Sequence, residues 1–238
     1  MPRYLDLTQP LSPLTARSSD HPEVTFRTLR WYSRNGLKTR EITASLHSGT
    51  HMDTAALYYA RGETIDQVAL DRLIGPALFV DCRLGELGAI TASHLEEHAG
   101  SLTSGDMLVL CTGWHHHMDD EEKYILKAPG LDKSGVDWVV KRSPKAVCSD
   151  SPSPEHICMR DRYWRTLRAD IFPADSDREV FPKSYGHRTL LPKGILMIEN
   201  LGGEIDQLIG RRATLFALPA KYAGVEAAPV RAIAVVDD

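Results

Sequence analysis

The chain has 238 residues, of which 42% are hydrophobic and 25% are charged, a composition that excludes disordered, collagen-like and coiled-coil proteins. Its 28 basic and 32 acidic side chains give a formal net charge of -4. Nucleic acids and anionic membranes bind proteins that carry clustered lysines and arginines in excess of acidic residues. We therefore expect neither as a partner and predict a small-molecule substrate instead.

Short apolar runs rich in branched residues predict most of the strands. Each run is too short for a helix and lies between turn residues, as buried strands do. The predicted strands are residues 77–80, 107–110, 146–148 and 195–198, followed near the end of the chain by 214–219 and 230–236.

Two helices are predicted between these strands. Residues 91–99 have capping candidates at their start, and residues 133–142 place valines at helical spacing. Alternating strands and helices predict an α/β fold with a mixed, largely buried sheet. Without an evident linker or repeat, we expect one domain over residues 1–238. The polar, proline-containing segment 152–184 predicts an irregular excursion near a site or an interface.

The N-terminal residues and the cysteines bear on the cellular compartment. The start of the chain lacks the pattern of a secretory signal, and no apolar run approaches the roughly 18 residues that span a bilayer. We therefore expect a cytoplasmic protein. The four cysteines form no C-x-x-C pair, which predicts reduced and mostly buried thiols.

Residues 47–53, which read H-S-G-T-H-M-D, form the first candidate site. In an extended chain, side chains alternate between faces, so His47, His51 and Asp53 would point the same way past Gly49. Two imidazoles and a carboxylate suit a divalent ion such as Zn²⁺ or Mn²⁺. A solvated polar strand explains the same residues, and this motif alone does not decide between the two interpretations.

Two further candidate ligands lie later in the chain. His187 follows a glycine, and Glu199 comes directly after the predicted strand 195–198. A charge at the end of a buried strand is costly unless a metal or a cation compensates it. A salt bridge to an arginine is the other explanation for Glu199.

Short motifs in a fixed order extend along nearly the whole chain. They lie at residues 6–11, 64–67, 74–77, 111–114, 129–131, 149–153, 187–191, 199–201 and 229–232. Together with residues 47–53, they resemble the cyclase or kynurenine formamidase-like metal-dependent hydrolases, whose motif is H-x-G-T-H-x-D-x-P-x-H. An ordered series of matches is more specific than any one motif.

The resemblance implies a site with two divalent ions per chain, zinc or manganese. His47 and His51 would hold the first ion and His187 the second, and Asp53 and Glu199 would be shared between them. Such a pair of ions activates a water and stabilises an oxyanion. The resemblance also implies a swivelling β/β/α fold and a homodimer or homotetramer.

The chain departs from the family motif at Leu57, which stands where relatives carry a proton-transferring histidine. Such a group contributes about 10² to 10⁴ in rate. Another residue could replace it, the substrate could be a strained amide or lactone that needs little proton assistance, or the protein could bind without catalysis. The candidate replacements are Tyr58, Tyr59, His156 and one of His115, His116 and His117.

These residues predict a metal-dependent hydrolase of a C–N amide bond, either a cyclic amide or an N-formyl aryl amine. Trp31 could stack on a planar substrate, although a core position explains it equally. The alternatives are a lactone hydrolase or ring-forming cyclase of secondary metabolism, and a catalytically silent protein that binds a metal or a small molecule.

Overall fold

The computed structural model describes residues 1–18, 20–160 and 179–236. The strands are β1 (Arg3–Asp6), β2 (Thr25–Arg30), β3 (Thr39–Thr43), β4 (His51–Asp53), β5 (Ile74–Asp81), β6 (Ala89–Ile90), β7 (Met107–Cys111), β8 (Gly130–Leu131), β9 (Ala146–Ser149), β10 (Leu196–Glu199), β11 (Arg212–Pro219) and β12 (Ala227–Val236). The α-helices are α1 (Tyr32–Asn35), α2 (Leu70–Leu73), α3 (Ala92–Ala99), α4 (Glu121–Leu126), α5 (Lys133–Arg142) and α6 (Tyr185–Leu190). Short 3₁₀ helices include Ala55–Leu57, Trp114–His117, Ile157–Met159 and Ile205–Leu208.

The main sheet closes on itself. Its strands follow the order β1-β12-β11-β5-β7-β9-β10-β4, and β4 pairs with β12 as well, which leaves β1 attached outside the ring. Strands β5, β7, β9 and β10 are mutually parallel, whereas β4, β11 and β12 pair in antiparallel fashion. The predicted α/β class with a mixed, buried sheet is confirmed.

Both faces of the parallel strands are buried. In β5, Phe79 packs into the core inside the ring, while Leu78 and Val80 pack into a second core outside it. That second core includes Leu95 of α3 and Val136 of α5. Because neither face meets water, these strands are continuous apolar runs, which is the pattern that identified them in the sequence.

The predicted elements all appear, with small shifts in their ends. Strands β5, β7, β9, β10, β11 and β12 cover the six predicted strands, and α3 and α5 cover the two predicted helices. Thr91 caps α3 by accepting a hydrogen bond from the His94 backbone N–H at 3.2 Å. Asp132 caps α5 in the same way through the Gly135 N–H at 2.8 Å.

The four cysteines all lie among the described residues, where they are buried and outside disulfides, as predicted. Burial raises the pKa of the Cys82 and Cys148 thiols. Part of the predicted excursion, residues 161–178, lies outside the described residues, and the part before it holds the 3₁₀ helix Ile157–Met159. Within the described ranges, no helix has the length and apolar character needed to cross a bilayer.

Candidate metal centre

The segment 47–53 is not extended throughout, contrary to the sequence prediction. Only β4 is a strand, and residues 46–50 form a turn. Gly49 has a φ of +65°, and a Cβ there would lie 3.1 Å from the Leu11 Cδ1 atom, so the turn requires glycine. The turn carries His47 back towards the strand, where its Nδ1 lies 3.0 Å from the Asp53 Oδ1 atom.

Strand pairing brings three further ligands to one face of the sheet. His51 and Asp53 share a face of β4, and the antiparallel register places His51 opposite Glu199 of β10. His51 Nε2 consequently lies 3.4 Å from Glu199 Oε2 and 3.5 Å from Asp53 Oδ1.

Helix α6 supplies the last predicted ligand. His187 Nε2 lies 3.7 Å from Asp53 Oδ2 and 3.4 Å from Glu199 Oε1. The structure therefore brings together all five residues predicted as metal ligands. They form two groups that share Asp53, each with its ligand atoms within 4.8 Å of one another: His47, His51 and Asp53, and Asp53, His187 and Glu199.

Each histidine has one ring nitrogen beside an oxygen that lies outside the five ligand candidates, while its other nitrogen faces the cluster. The pairs are His51 Nδ1 with the Gly49 carbonyl at 2.9 Å, His187 Nδ1 with Glu155 Oε1 at 2.8 Å and His47 Nε2 with Glu226 Oε1 at 3.3 Å. A metal bound at the nitrogens that face the cluster would leave the ring protons on the nitrogens that face these oxygens. This is how proteins orient imidazoles as neutral metal ligands.

The ligand atoms fit a divalent ion. Within the described part of the chain, His51 Nε2, Asp53 Oδ1 and Glu199 Oε1 are buried and lack a hydrogen-bond partner. Buried polar atoms are rarely left in this state without a bound ion or water. Imidazole and carboxylate together suit zinc and manganese better than calcium or magnesium.

The electrostatics of the cluster favour positive charge. Burial raises the pKa of Asp53, but His51, His187 and His47 outweigh it and hold that pKa below its usual range. Burial lowers the pKa of His187, but Glu155, Asp53 and Glu199 outweigh it and hold that pKa well above its usual range. A proton or a metal cation is therefore stabilised between these carboxylates.

Glu155 is a buried residue that the sequence analysis did not single out. Its Oε2 accepts the Gly186 backbone N–H at 2.8 Å while its Oε1 pairs with His187. A Cβ on Gly186 would lie 2.7 Å from that Oε2, so the contact depends on glycine at this position. The sequence offered only a carboxylate between proline and histidine, with no spacing that links it to His187.

Glu155→Gln is expected to weaken metal affinity by about 10- to 100-fold, because a neutral amide orients the His187 imidazole less strongly. Metal content after dialysis against graded chelator measures the change. Glu97→Gln, at a carboxylate whose side chain is 75% exposed, is the matched control. Equal affinity of native protein and Glu155→Gln would contradict the positioning role.

The cluster lies in a cleft with a volume of about 340 Å³. Leu57 and Tyr58 form part of its wall, and basic side chains line it at Arg17, His21, Arg160, Lys183 and Arg188. The His21 ring stacks on His47 with 5.5 Å between ring centroids. Sequence reasoning missed His21 because no motif connects it to residues 47–53.

The candidate proton donors differ in whether their side chains line the cleft. Tyr58 lines the cleft, and its ring centroid lies 5.8 Å from that of His187. The Tyr59 hydroxyl instead donates to the Arg188 carbonyl at 2.9 Å. His156 is buried away from the cleft lining, where its Nε2 donates to the Leu87 carbonyl at 3.0 Å and its Nδ1 accepts from the backbone. The structure therefore does not bring His156 to the cluster.

The remaining candidates lie elsewhere. His115, His116 and His117 form a 3₁₀ helix and are not among the described residues that line the cleft. Trp31 is 52% exposed beside the β2–β3 hairpin, and it neither lines the cleft of its own chain nor belongs to the core. The structure separates all four from the five ligands.

Comparison with known families agrees with this geometry. Residues 5–156 match the profile of the cyclase family, described as "Putative cyclase". The chain belongs to the cyclase family. This match confirms the family resemblance that was inferred from the ordered motifs.

Relatives extend over the whole cyclase-family chain. It is 28% identical over 232 residues to the kynurenine formamidase of Salinibacter ruber, covering 96% of this chain and 95% of that one. An isatin hydrolase bound to the product analogue thioisatinate superposes with a TM-score of 0.80 at 21% identity, covering 100% of this chain and 93% of that one. Isatin hydrolase A of Ralstonia solanacearum gives 0.79 at 21% identity, with 99% and 92% covered. The predicted fold and the prediction of an enzyme are confirmed.

Proposed function

We propose that this cyclase-family protein is a metal-dependent hydrolase that cleaves a C–N amide bond in a cyclic amide or an N-formyl aryl amine. The main observation behind this proposal is that three imidazoles and two carboxylates converge on one cleft. Three of their buried atoms, His51 Nε2, Asp53 Oδ1 and Glu199 Oε1, have no hydrogen-bond partner among the described residues. The relatives, a kynurenine formamidase and isatin hydrolases, support the amide as substrate.

The cluster suits two ions, zinc or manganese. Asp53 belongs to both ligand groups, which supports a shared role. Glu199 faces His51 with Oε2 and His187 with Oε1, both at 3.4 Å, so its two oxygens point to different halves of the cluster. Ions held there supply Lewis acidity towards a carbonyl oxygen and lower the pKa of water.

Side chains around the cluster have complementary tasks. The Tyr58 ring lines the cleft with its centroid 5.8 Å from that of His187, and its hydroxyl would donate the proton to a leaving nitrogen. The Arg188 guanidinium carbon lies 4.6 Å from the centroid of the Tyr58 ring and holds that ring against the cleft wall. Arg160 also lines the cleft, where its Nη2 donates to the Pro152 carbonyl at 2.9 Å and lies 3.9 Å from Glu199 Oε2, the arginine contact that the sequence left open for Glu199. Amide hydrolysis releases a carboxylate, and this guanidinium would bind it beside the metal ligands.

The substrate test uses the full chain, purified without nickel affinity or chelator. We expect the cleft ligands to hold about two divalent ions per chain, and turnover of N-formyl aryl amines or cyclic aryl amides that stops on chelation and returns with Zn²⁺ or Mn²⁺. A His47→Ala/His187→Ala variant should lose the metal bound in the cleft and, with it, turnover. Turnover of lactones alone would favour the lactonase alternative. A protein that takes up neither ion would overturn the proposal.

Leu57→His is expected to raise the rate on N-formyl aryl amines by about tenfold, a fraction of what a fully positioned acid–base group contributes. Leu57 lines the cleft and is only partly buried, so an imidazole can reach the substrate space from this position. Initial rates at matched metal content measure the gain, with Leu57→Asn as a polar control. No gain in a folded, metal-loaded variant would mean that the cleft is shaped for a different amide.

We also propose a homodimer or homotetramer. The hairpin of β2 and β3 exposes apolar side chains, with Leu29 50%, Tyr32 71% and Ile42 52% exposed. Light scattering should give a multiple of the 26.5 kDa chain mass, and Leu29→Ser/Ile42→Ser should shift the mass towards one chain. A native mass of one chain would contradict this expectation.

A further inference from the structure

A second cluster of metal-ligating side chains lies outside the cleft. His115 and His116 belong to the 3₁₀ helix Trp114–His117, and Asp206 belongs to the 3₁₀ helix Ile205–Leu208. One ligand atom from each of these residues lies within 4.8 Å of the other two. None of the three is among the described residues that line the cleft, so the cluster is separate from the candidate metal centre.

His115 is the residue that points to a ligand. Its side chain is only 5% exposed, and within the described residues its Nε2 is buried without a hydrogen-bond partner. The other ring nitrogen, Nδ1, lies 2.8 Å from Asp150 Oδ2. Because the carboxylate accepts, Nδ1 carries the proton, and the lone pair of Nε2 faces the cluster.

Asp150 is held rigidly enough to orient this imidazole. It is fully buried, and it accepts the backbone N–H groups of Thr112 and Gly113, each at 2.8 Å. A buried carboxylate behind a histidine is the arrangement by which proteins fix the tautomer and direction of a metal-binding imidazole. Buried polar contacts therefore orient the His115 ring so that its Nε2 faces Asp206 and His116.

The spacing of the ligand atoms is close to what a tetrahedral ion requires. Metal–ligand distances of about 2.0–2.1 Å imply about 3.3 Å between neighbouring ligand atoms. Asp206 Oδ2 lies 2.7 Å from His116 Nε2, with which it forms a hydrogen bond that a bound ion would replace, and 3.7 Å from His115 Nε2. These distances bracket the tetrahedral value. The side chains of His116 and Asp206 are 60% and 46% exposed, so both can adjust without disturbing the core.

The geometry points to a second, solvent-facing divalent cation site formed by His115, His116 and Asp206. Two imidazoles and one carboxylate select a borderline ion such as Zn²⁺ over Mg²⁺ or Ca²⁺. Three protein ligands leave a coordination position open to water. A bound ion would link the 3₁₀ helix after β7 to the segment between β10 and β11. The proposed site does not depend on the proposed hydrolase function.

The test separates this site from the cleft by replacing two of the five cleft ligands, including Asp53, which both cleft groups share. In an Asp53→Asn/His187→Ala background, made without an affinity tag, calorimetric titration with Zn²⁺ should still show one ion per chain. Adding His116→Gln or Asp206→Asn should weaken that binding at least tenfold. The matched control is His117→Gln, because His117 lies in the same helix but its ring packs edge-on against Trp114, outside the cluster. It should bind Zn²⁺ like the background.

Absence of zinc binding in the folded background protein would overturn the inference, as would unchanged affinity in both His116→Gln and Asp206→Asn. If the background variant does not fold, the same two substitutions are made in the native chain. There, the number of bound zinc ions should fall by one in each, while His117→Gln keeps the native number. An unchanged number in His116→Gln and Asp206→Asn would likewise overturn the inference.

Discussion

Asp53→Asn is expected to remove the metal bound in the cleft and to lower amide hydrolysis by about 10³-fold or more. Asp53 is 1% exposed and is the one residue shared by both ligand groups of the cleft. Asparagine has nearly the same volume, so the strand pairing of β4 should persist. The substitution removes the negative charge that balances His51, His47 and His187, and an amide is a much weaker ligand for zinc or manganese.

Two measurements check this expectation: metal content by mass spectrometry and initial rate at a fixed concentration of added metal. Circular dichroism confirms that the variant is folded. Asp119→Asn makes the same change at an exposed carboxylate and should retain native metal content and rate. A folded Asp53→Asn protein with native metal content and near-native turnover would exclude Asp53 as a shared ligand.

Tyr58→Phe is expected to lower kcat by about 10²-fold, the lower end of what a general acid contributes, while metal content stays native. The substitution removes only the hydroxyl. The ring, which contacts His187 and the Arg188 guanidinium, is retained, so the cleft should keep its shape. A fall in kcat with an unchanged KM would identify a role in proton transfer rather than in binding.

The adjacent tyrosine provides a matched control for that experiment. Tyr59→Phe removes a hydroxyl that donates to the Arg188 carbonyl at 2.9 Å, so it should cost about 1 kcal/mol of stability. Its kcat should remain close to the native value, because that hydroxyl is already engaged with the backbone. If both variants kept native kcat, Tyr58 would not be the proton donor that takes the place of the histidine in the family motif.

Most of the main sheet could be predicted because its strands are buried on both faces. Their buried stretches are continuous apolar runs, as in residues 77–80 of β5 and the whole of β7, and this signal is local to the sequence. The β2–β3 hairpin was not predicted, since all but one of its residues are exposed and no alternation marks a buried face. The closure of the ring through β4 and β12 was equally hidden, because β4 has only three residues.

The sequence by itself determined which residues could hold a metal, since the spacing of His47, His51 and Asp53 and the ordered later motifs are written in the chain. Only the tertiary structure decided how they meet: through a turn at Gly49, the register of β4 against β10, and helix α6. It also brought Glu155 to His187 and Asp206 to His116, over 32 and 90 positions of the chain. The reason is physical, because hydrogen-bonded strand pairing and burial fix distances between residues that are remote in sequence, whereas periodicity and motifs report only on neighbours.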